Sequence, residues 1–283
     1  MTLYDQVAQE TASIVIRRYS TSFGLASRLL GPSVRQHVEN IYALVRVADE
    51  IVDGSGEAAG LDLLATGQTL NALEAETELA MEIGFSANLV VHAFALTARA
   101  TGFGSELTAP FFESMRMDLT ETEHDQQSFE RYVYGSAEVV GLMCLRAFIT
   151  DEPVDDEQEL VTGARALGAA FQKVNFLRDL AADFDALGRS YFPGVRVDAF
   201  TEADKLRLLD DIDADLAVSA AVLPKLPASS RRAVALAQSL FAELSRRLRA
   251  TPASTLRTVR VRVPNPVKAR LALAAASGRL PRE

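Results

Sequence analysis

The sequence contains one cysteine, Cys144, three histidines and no tryptophan in 283 residues. A lone thiol excludes a disulfide framework and any thiolate zinc cluster. His37, His92 and His124 are too few for an imidazole-based site. Any bound metal must therefore be held by oxygen. The chain does not open with a basic segment followed by an apolar stretch, and no uncharged run approaches the ~20 residues that cross a bilayer. The expectation is a cytoplasmic protein. Neither a Walker loop nor a Rossmann glycine fingerprint occurs, so phosphate chemistry here would not come from an ordinary nucleotide fold. There is no Ser/Gly-rich linker, and no repeat at a period of roughly 20 to 50 residues.

What is present is apolar material. Hydrophobic residues make up 48% and charged residues 24%, enough to bury a core and too apolar for disorder. Residues 1–283 read as a single domain. The net charge of −9 is uneven, because residues 231–283 carry +10 and the remainder −19. A basic end on an acidic body suggests an anionic partner. Phe241 is its only aromatic residue, which argues against nucleic acid and leaves a phosphate-bearing ligand or peripheral contact with anionic lipid. The competing reading is a solvated helix face.

Apolar residues recur at helical spacing, as in Val7, Ile14 and Val15, and again in Ile41, Leu44, Val45, Ala48 and Val52. Breaks at Gly31-Pro32, Gly54 to Gly56, Gly102 to Gly104, Asp151 to Pro153, Gly188 to Pro193 and Pro224 to Pro227 divide the chain into helix-length segments. The pattern predicts roughly nine to eleven helices and an all-α protein.

Aspartates four apart share a helix face, where like charges repel unless a cation neutralises them. Four such pairs occur: Asp49/Asp53, Asp151/Asp155, Asp179/Asp183 and Asp211/Asp215. The second and fourth lie in acidic runs that read as solvated helix ends or faces. The first and third interrupt apolar helices. Tyr42, Arg46, Asp49 and Asp53 form one polar stripe, and Gln172, Asn175, Asp179 and Asp183 form another, flanked by Lys173 and Arg178. Interior Arg–Asp networks would account for either stripe alone. Together, two carboxylate clusters with arginines suit Mg²⁺ bridged to substrate phosphates, with guanidinium groups on the phosphate oxygens. Glu121-x-x-His124 raises a di-iron carboxylate bundle as another possibility, but that fold needs a second copy.

These stripes fall within a wider resemblance. "YSTSFGLASRLL" from Tyr19, "IYALVRVADEIVD" from Ile41, "YVYGSAEVVGLMCLRAF" from Tyr132, "FQKVNFLRDLAADFDALGRSYFP" from Phe171 and "RVRVPNPVKARL" from Arg260 occur in order along most of the chain. In this the chain resembles the squalene/phytoene synthases, head-to-head prenyl transferases. The resemblance implies an all-α class I isoprenoid synthase fold, a helical bundle with a central cavity. It implies that Asp49, Asp53, Asp179 and Asp183, helped by Asn175, hold Mg²⁺, with Mn²⁺ as the alternative ion. Ser20, Thr21, Ser22, Tyr42, Arg46, Gln172 and Arg178 would line the diphosphate subsites. Phe23, Phe171, Ala137 and Gly141 would border the prenyl chain, although small residues four apart also suit close helix packing. Tyr132 or the released diphosphate would accept the proton.

The implied reaction joins two geranylgeranyl diphosphates into phytoene through a cyclopropyl diphosphate, without NADPH. A farnesyl-using route to dehydrosqualene, presqualene diphosphate or squalene is the nearest alternative, and a non-catalytic scaffold relative is a further one. Two positions depart from the usual family pattern: Thr21, where many relatives carry lysine, and Ser136-Ala137-Glu138, where many read Val-Ala-Gly.

Overall fold

The computed structural model describes the backbone of residues 1–187 and 190–278, and their side chains except those of Glu57 and residues 182–187. The helices are α1 (Leu3–Tyr19), α2 (Ser22–Ser27), α3 (Pro32–Asp53), α4 (Ser55–Ala58), α5 (Leu63–Ile83), α6 (Leu89–Thr101) and α7 (Ser105–Thr120). After these come α8 (Gln126–Val133), α9 (Val139–Ile149), α10 (Glu157–Leu187), α11 (Glu202–Val222), α12 (Ala228–Ala250), α13 (Ala253–Leu256) and α14 (Asn265–Ala276). Among the described residues there is no strand, only an isolated bridge between Glu123 and Ser190. The all-α expectation holds, with α2, α4 and α13 as extra short helices. Local chemistry sets many ends: Thr2 and Thr201 form capping boxes, Asp62, Asn88 and Asp125 cap α5, α6 and α8, and Gly84 and Gly102 end α5 and α6 in the left-handed conformation.

A π-helical turn, Tyr134–Glu138, joins α8 to α9 into one rod, Gln126–Ile149. By length and composition this rod could cross a membrane, a feature that counting uncharged residues had missed. Here its apolar sides pack on α7 and α10 and line the central cavity. Its approach to α10 depends on glycine. A Cβ on Gly141 would lie 2.6 Å from the Ala164 carbonyl oxygen, and one on Gly168 would lie 2.6 Å from that of Ala137. The two helices therefore run backbone against backbone.

Two large apolar clusters flank the centre. One joins α10, α11 and α12 through residues such as Leu177, Leu209 and Leu236; the other joins α1, α3, α6 and α7 through Ala12, Leu44, Phe94 and Phe112. The basic C-terminal region is not a free tail. It folds as α12 to α14, with Leu240, Leu244, Leu248 and Leu256 in the core. The acidic run from Asp210 to Asp215 is the solvated helix face expected, with Asp210 and Asp211 exposed, but its carboxylates are paired. Lys173 binds Asp211 at 2.6 Å and Asp215 at 2.8 Å, while Arg249 binds Asp210 and Asp213 at 2.8 Å each. Lys173 thus points to α11 and away from the stripe it flanks. Part of the charge asymmetry is met inside the molecule, because Arg249 and Arg260 of the basic end pair with Asp210, Asp213 and Asp179 of the acidic body.

Candidate active site

The cavity has a volume of about 290 Å³ and lies between α3, the Tyr134–Ile149 rod, α10, α11 and α12. On α10 its wall runs through Leu160, Ala164, Leu167, Gly168, Phe171, Gln172 and Asn175; on α3 it runs through Val38, Ile41, Tyr42 and Val45. These positions follow the three-and-four spacing of one helix face. Continuing each face by one turn toward the C-terminus reaches Asp49 on α3 and Asp179 on α10. By this spacing the carboxylates stand one turn beyond the polar end of the cavity formed by Tyr42, Gln172 and Asn175, termed the mouth, above an apolar shaft. Asp49 and Asp53 lie at the C-terminal end of α3, whose partial negative charge favours cations, whereas Asp179 sits eight residues before the end of α10.

At the α3 side, Arg46 donates to Asp49 Oδ2 at 2.7 Å, pairs with Glu50, and stacks 4.5 Å above the Tyr19 ring. Its Nε is buried and, among the described residues, has no hydrogen-bond partner. Ser55 also donates to Glu50 and, with Arg46, holds the Glu50 carboxyl below its usual range. Burial raises the Tyr42 phenol, opposed by Arg46 and the Ser20 hydroxyl. Ser20 Oγ accepts the Phe23 N–H at 3.1 Å and so fixes the entry to α2. Ser22 begins that helix, and Thr21 is exposed.

At the α10 side, Asp179 is held by two arginines. Arg178 Nε donates to Oδ1 at 3.0 Å, and Arg260 donates from Nε to Oδ1 at 2.7 Å and from Nη2 to Oδ2 at 3.1 Å. Lys268 Nζ reaches Thr21 Oγ1 at 3.4 Å. An ammonium thus stands beside position 21 although the residue there is threonine. The segment from Arg257 into α14 consequently crosses the mouth. Asp183 lies outside the described side chains.

Phe23 and Phe171 line the shaft and form an aromatic group with Phe241. Phe171 and Phe241 stack with centroids 3.7 Å apart, and Phe23 lies 5.5 Å from Phe171. Ala137 and Gly141 border the cavity while also making the close contact with α10, so both readings of the small residues apply.

Tyr132 does not border the cavity. Its hydroxyl donates to Asp118 at 2.8 and 2.9 Å inside a buried group with Tyr191, His124 and Phe176. Burial, then Asp118, pushes the phenol well above its ordinary value. A phenol held neutral and already donating to a carboxylate is poorly suited to act as a base, which corrects the role expected for Tyr132.

The donor set at the mouth is hard oxygen: Asp49, Asp53, Asp179 and the Asn175 amide. Among the described residues no three His, Cys, Asp or Glu side chains converge on one point. Oxygen donors of this kind are the type Mg²⁺ takes, one or two carboxylates with water and substrate phosphate completing the shell.

Comparison with known proteins agrees with this architecture. Residues 16–266 match the squalene/phytoene synthase family. The chain belongs to that family. It is 28% identical over 254 residues to a 15-cis-phytoene synthase of Paracoccus sp., covering 84% of this chain and 81% of that one. It is 29% identical over 210 residues to a 4,4'-diapophytoene synthase of Staphylococcus haemolyticus, covering 71% and 66%. A dehydrosqualene synthase crystal structure superposes with a TM-score of 0.76 at 22% identity over 97% of both chains. A squalene synthase from Alicyclobacillus acidocaldarius does so at 0.73 and 21%, over 89% and 98%. As a member of this family, the protein is a prenyl transferase of isoprenoid biosynthesis.

Sequence reasoning missed Glu50, Asp118, Arg260 and Lys268. Glu50 sits beside an expected ligand and had a local signal. Arg260 and Lys268 lie in a motif tied to the family, but no spacing rule connects them to Asp179 or Thr21.

Proposed function

We propose that the chain condenses two geranylgeranyl diphosphates head to head into phytoene through a cyclopropylcarbinyl diphosphate. The observation that supports this reading is the length of the apolar α10 face that lines the cavity. From Asn175 to Leu160 the wall follows α10 for about 22 Å at 1.5 Å per residue. An extended isoprene unit spans about 5 Å with carbon–carbon bonds of ~1.5 Å. Four units, about 20 Å, are comparable in length to that apolar wall.

Mg²⁺, or Mn²⁺ in its place, would be held by Asp49, Asp53 and Asp179 with Asn175, joined by Asp183 on sequence grounds. When bound, it supplies positive charge that makes diphosphate a better leaving group. Arg46, Arg178 and Arg260 already sit on the carboxylates and can fork onto the phosphate oxygens as negative charge builds there. Gln172, Tyr42, Ser20, Thr21 and Ser22 orient the same end of the substrate. Once the diphosphate leaves, Phe23 and Phe171 offer ring faces to the allylic cation. The apolar wall keeps water from quenching it. The double bond of the second substrate attacks that cation. A second ionisation, rearrangement and proton loss then complete the product, with released diphosphate as the base. No hydride enters this sequence, so NADPH is not required.

Farnesyl diphosphate is the second reading, favoured by the likeness to the diapophytoene synthase and the dehydrosqualene synthase. The test is product analysis of purified protein with each diphosphate, with and without NADPH, and after chelation. Phytoene from geranylgeranyl diphosphate, independent of NADPH and abolished by chelation until Mg²⁺ is restored, supports the proposal. A C30 product in its place moves the protein to the shorter substrate. Asp49→Ala and Asp179→Ala should each lower turnover by about a thousandfold or more with the fold intact.

A further inference from the structure

Lys205 on α11 takes no part in the chemistry above, yet it is 1% exposed, more deeply buried than any other charged side chain among the described residues. Its Nζ donates to the carbonyl oxygens of Thr251 at 2.6 Å and Arg249 at 3.1 Å, at the C-terminal end of α12 where carbonyls lack partners within the helix. It also pairs with Glu202 at 2.5 Å, one turn earlier on α11. Glu202 in turn accepts the N–H of Ala253, the first residue of α13, at 2.9 Å. One ion pair therefore grips the chain on both sides of the Thr251-Pro252 bend.

That bend is where the chain leaves α12 for the mouth. Seven residues beyond Ala253 stands Arg260, paired with Asp179, and Lys268 beside Thr21 follows on α14. Between the buried Leu256 and the buried Val263 the backbone has no helix or strand to hold it. Its path is therefore set by its ends. A buried ion pair adds little stability, because desolvation offsets the attraction, but it excludes alternative geometries.

We propose that Lys205 and Glu202 form a positioning clamp. It fixes where the segment from Thr251 to Pro264 departs from α12, and so holds Arg260 where its guanidinium passes from Asp179 to the substrate diphosphate. The inference rests on the proposed function in one respect: the anion that Arg260 receives belongs to a prenyl diphosphate. Arg249 stays tied to Asp210 and Asp213 without Lys205, so removing the clamp frees the segment and leaves α12 in place.

Two readouts test this on the full chain. Limited trypsin digestion, followed by mass spectrometry at Arg257, Arg260 and Arg262, reports how often the segment opens. Lys205→Met and Glu202→Ala should each be cut there about tenfold faster than wild type. Glu202 is more than half exposed, so its variant serves even where a buried methionine at 205 impairs folding. The second readout is calorimetric titration with inorganic diphosphate in the presence of Mg²⁺. Lys205→Met and Glu202→Ala should each weaken binding about tenfold. Either change added to Arg260→Ala should weaken it by less than about twofold more, because the clamp acts through Arg260. Cutting at the wild-type rate in both variants overturns the clamp, as does diphosphate binding that is unchanged, absent from wild type, or lowered equally with and without Arg260. Coupled losses in a protein that makes no product from either prenyl diphosphate support the clamp and overturn the proposed function. Product formation with uncoupled losses does the reverse.

Discussion

Arg260 and Asp179 are 81 residues apart in the chain and 2.7 Å apart in space. Through that pair, an extended segment with no regular structure holds the mouth of a cavity built by helices. The half-exposed guanidinium can exchange a carboxylate for a phosphate, which a fully buried ion pair could not do cheaply.

Arg260→Ala should lower kcat/KM by about ten- to a hundredfold, because Asp179 keeps Arg178 while one charge on the leaving group is lost. Stability should change by less than about 1 kcal/mol, as for other partly exposed ion pairs. Steady-state kinetics and a thermal melt separate the two effects.

The contact between Lys268 and Thr21 predicts a rescue. Lys268→Ala should raise KM for the prenyl diphosphate about tenfold, and adding Thr21→Lys should restore most of it by returning an ammonium to the same place. A double variant no better than Lys268→Ala would show that the lysine acts elsewhere.

Tyr132→Phe removes the stronger of two phenol donors to Asp118, leaving Tyr191 at 3.4 Å. A buried carboxylate short of one donor should cost about 1 to 3 kcal/mol in denaturant unfolding. The folded-state pKa of Tyr132 is raised above the unfolded value of about 10. Its contribution to stability is therefore complete below about pH 10 and is lost as pH rises toward the higher folded value. The phenylalanine variant should lack that alkaline loss. Turnover should stay within about tenfold of wild type, with the pH–rate profile unaltered; a collapse in turnover would return Tyr132 to the chemistry.

Gly168→Ala places a Cβ 2.6 Å from the Ala137 carbonyl and must push the π-helical turn away from α10. Overpacking of this kind costs about 1 to 3 kcal/mol. Because the two helices form adjoining walls of the shaft, turnover of the prenyl diphosphate should fall with the melting temperature.

The helical class, most of the breaks and both polar stripes were legible in the sequence, because periodicity and punctuation are local properties. Tyr42, Arg46 and Asp49 share a face whatever surrounds them, as do Gln172, Asn175 and Asp179. Spacing also marked Ala137 and Gly141 as small, but could not say that they serve both a helix contact and a cavity wall. Tertiary structure alone decided which charges find each other. Lys173 turned to Asp211 and Asp215, Tyr132 to Asp118, and Arg260 to Asp179. It also showed that the basic end is folded against an acidic body and is no free tail. The physical reason is range: a side chain's helix face follows from its own few neighbours, whereas an ion pair between distant segments depends on how all the intervening helices pack.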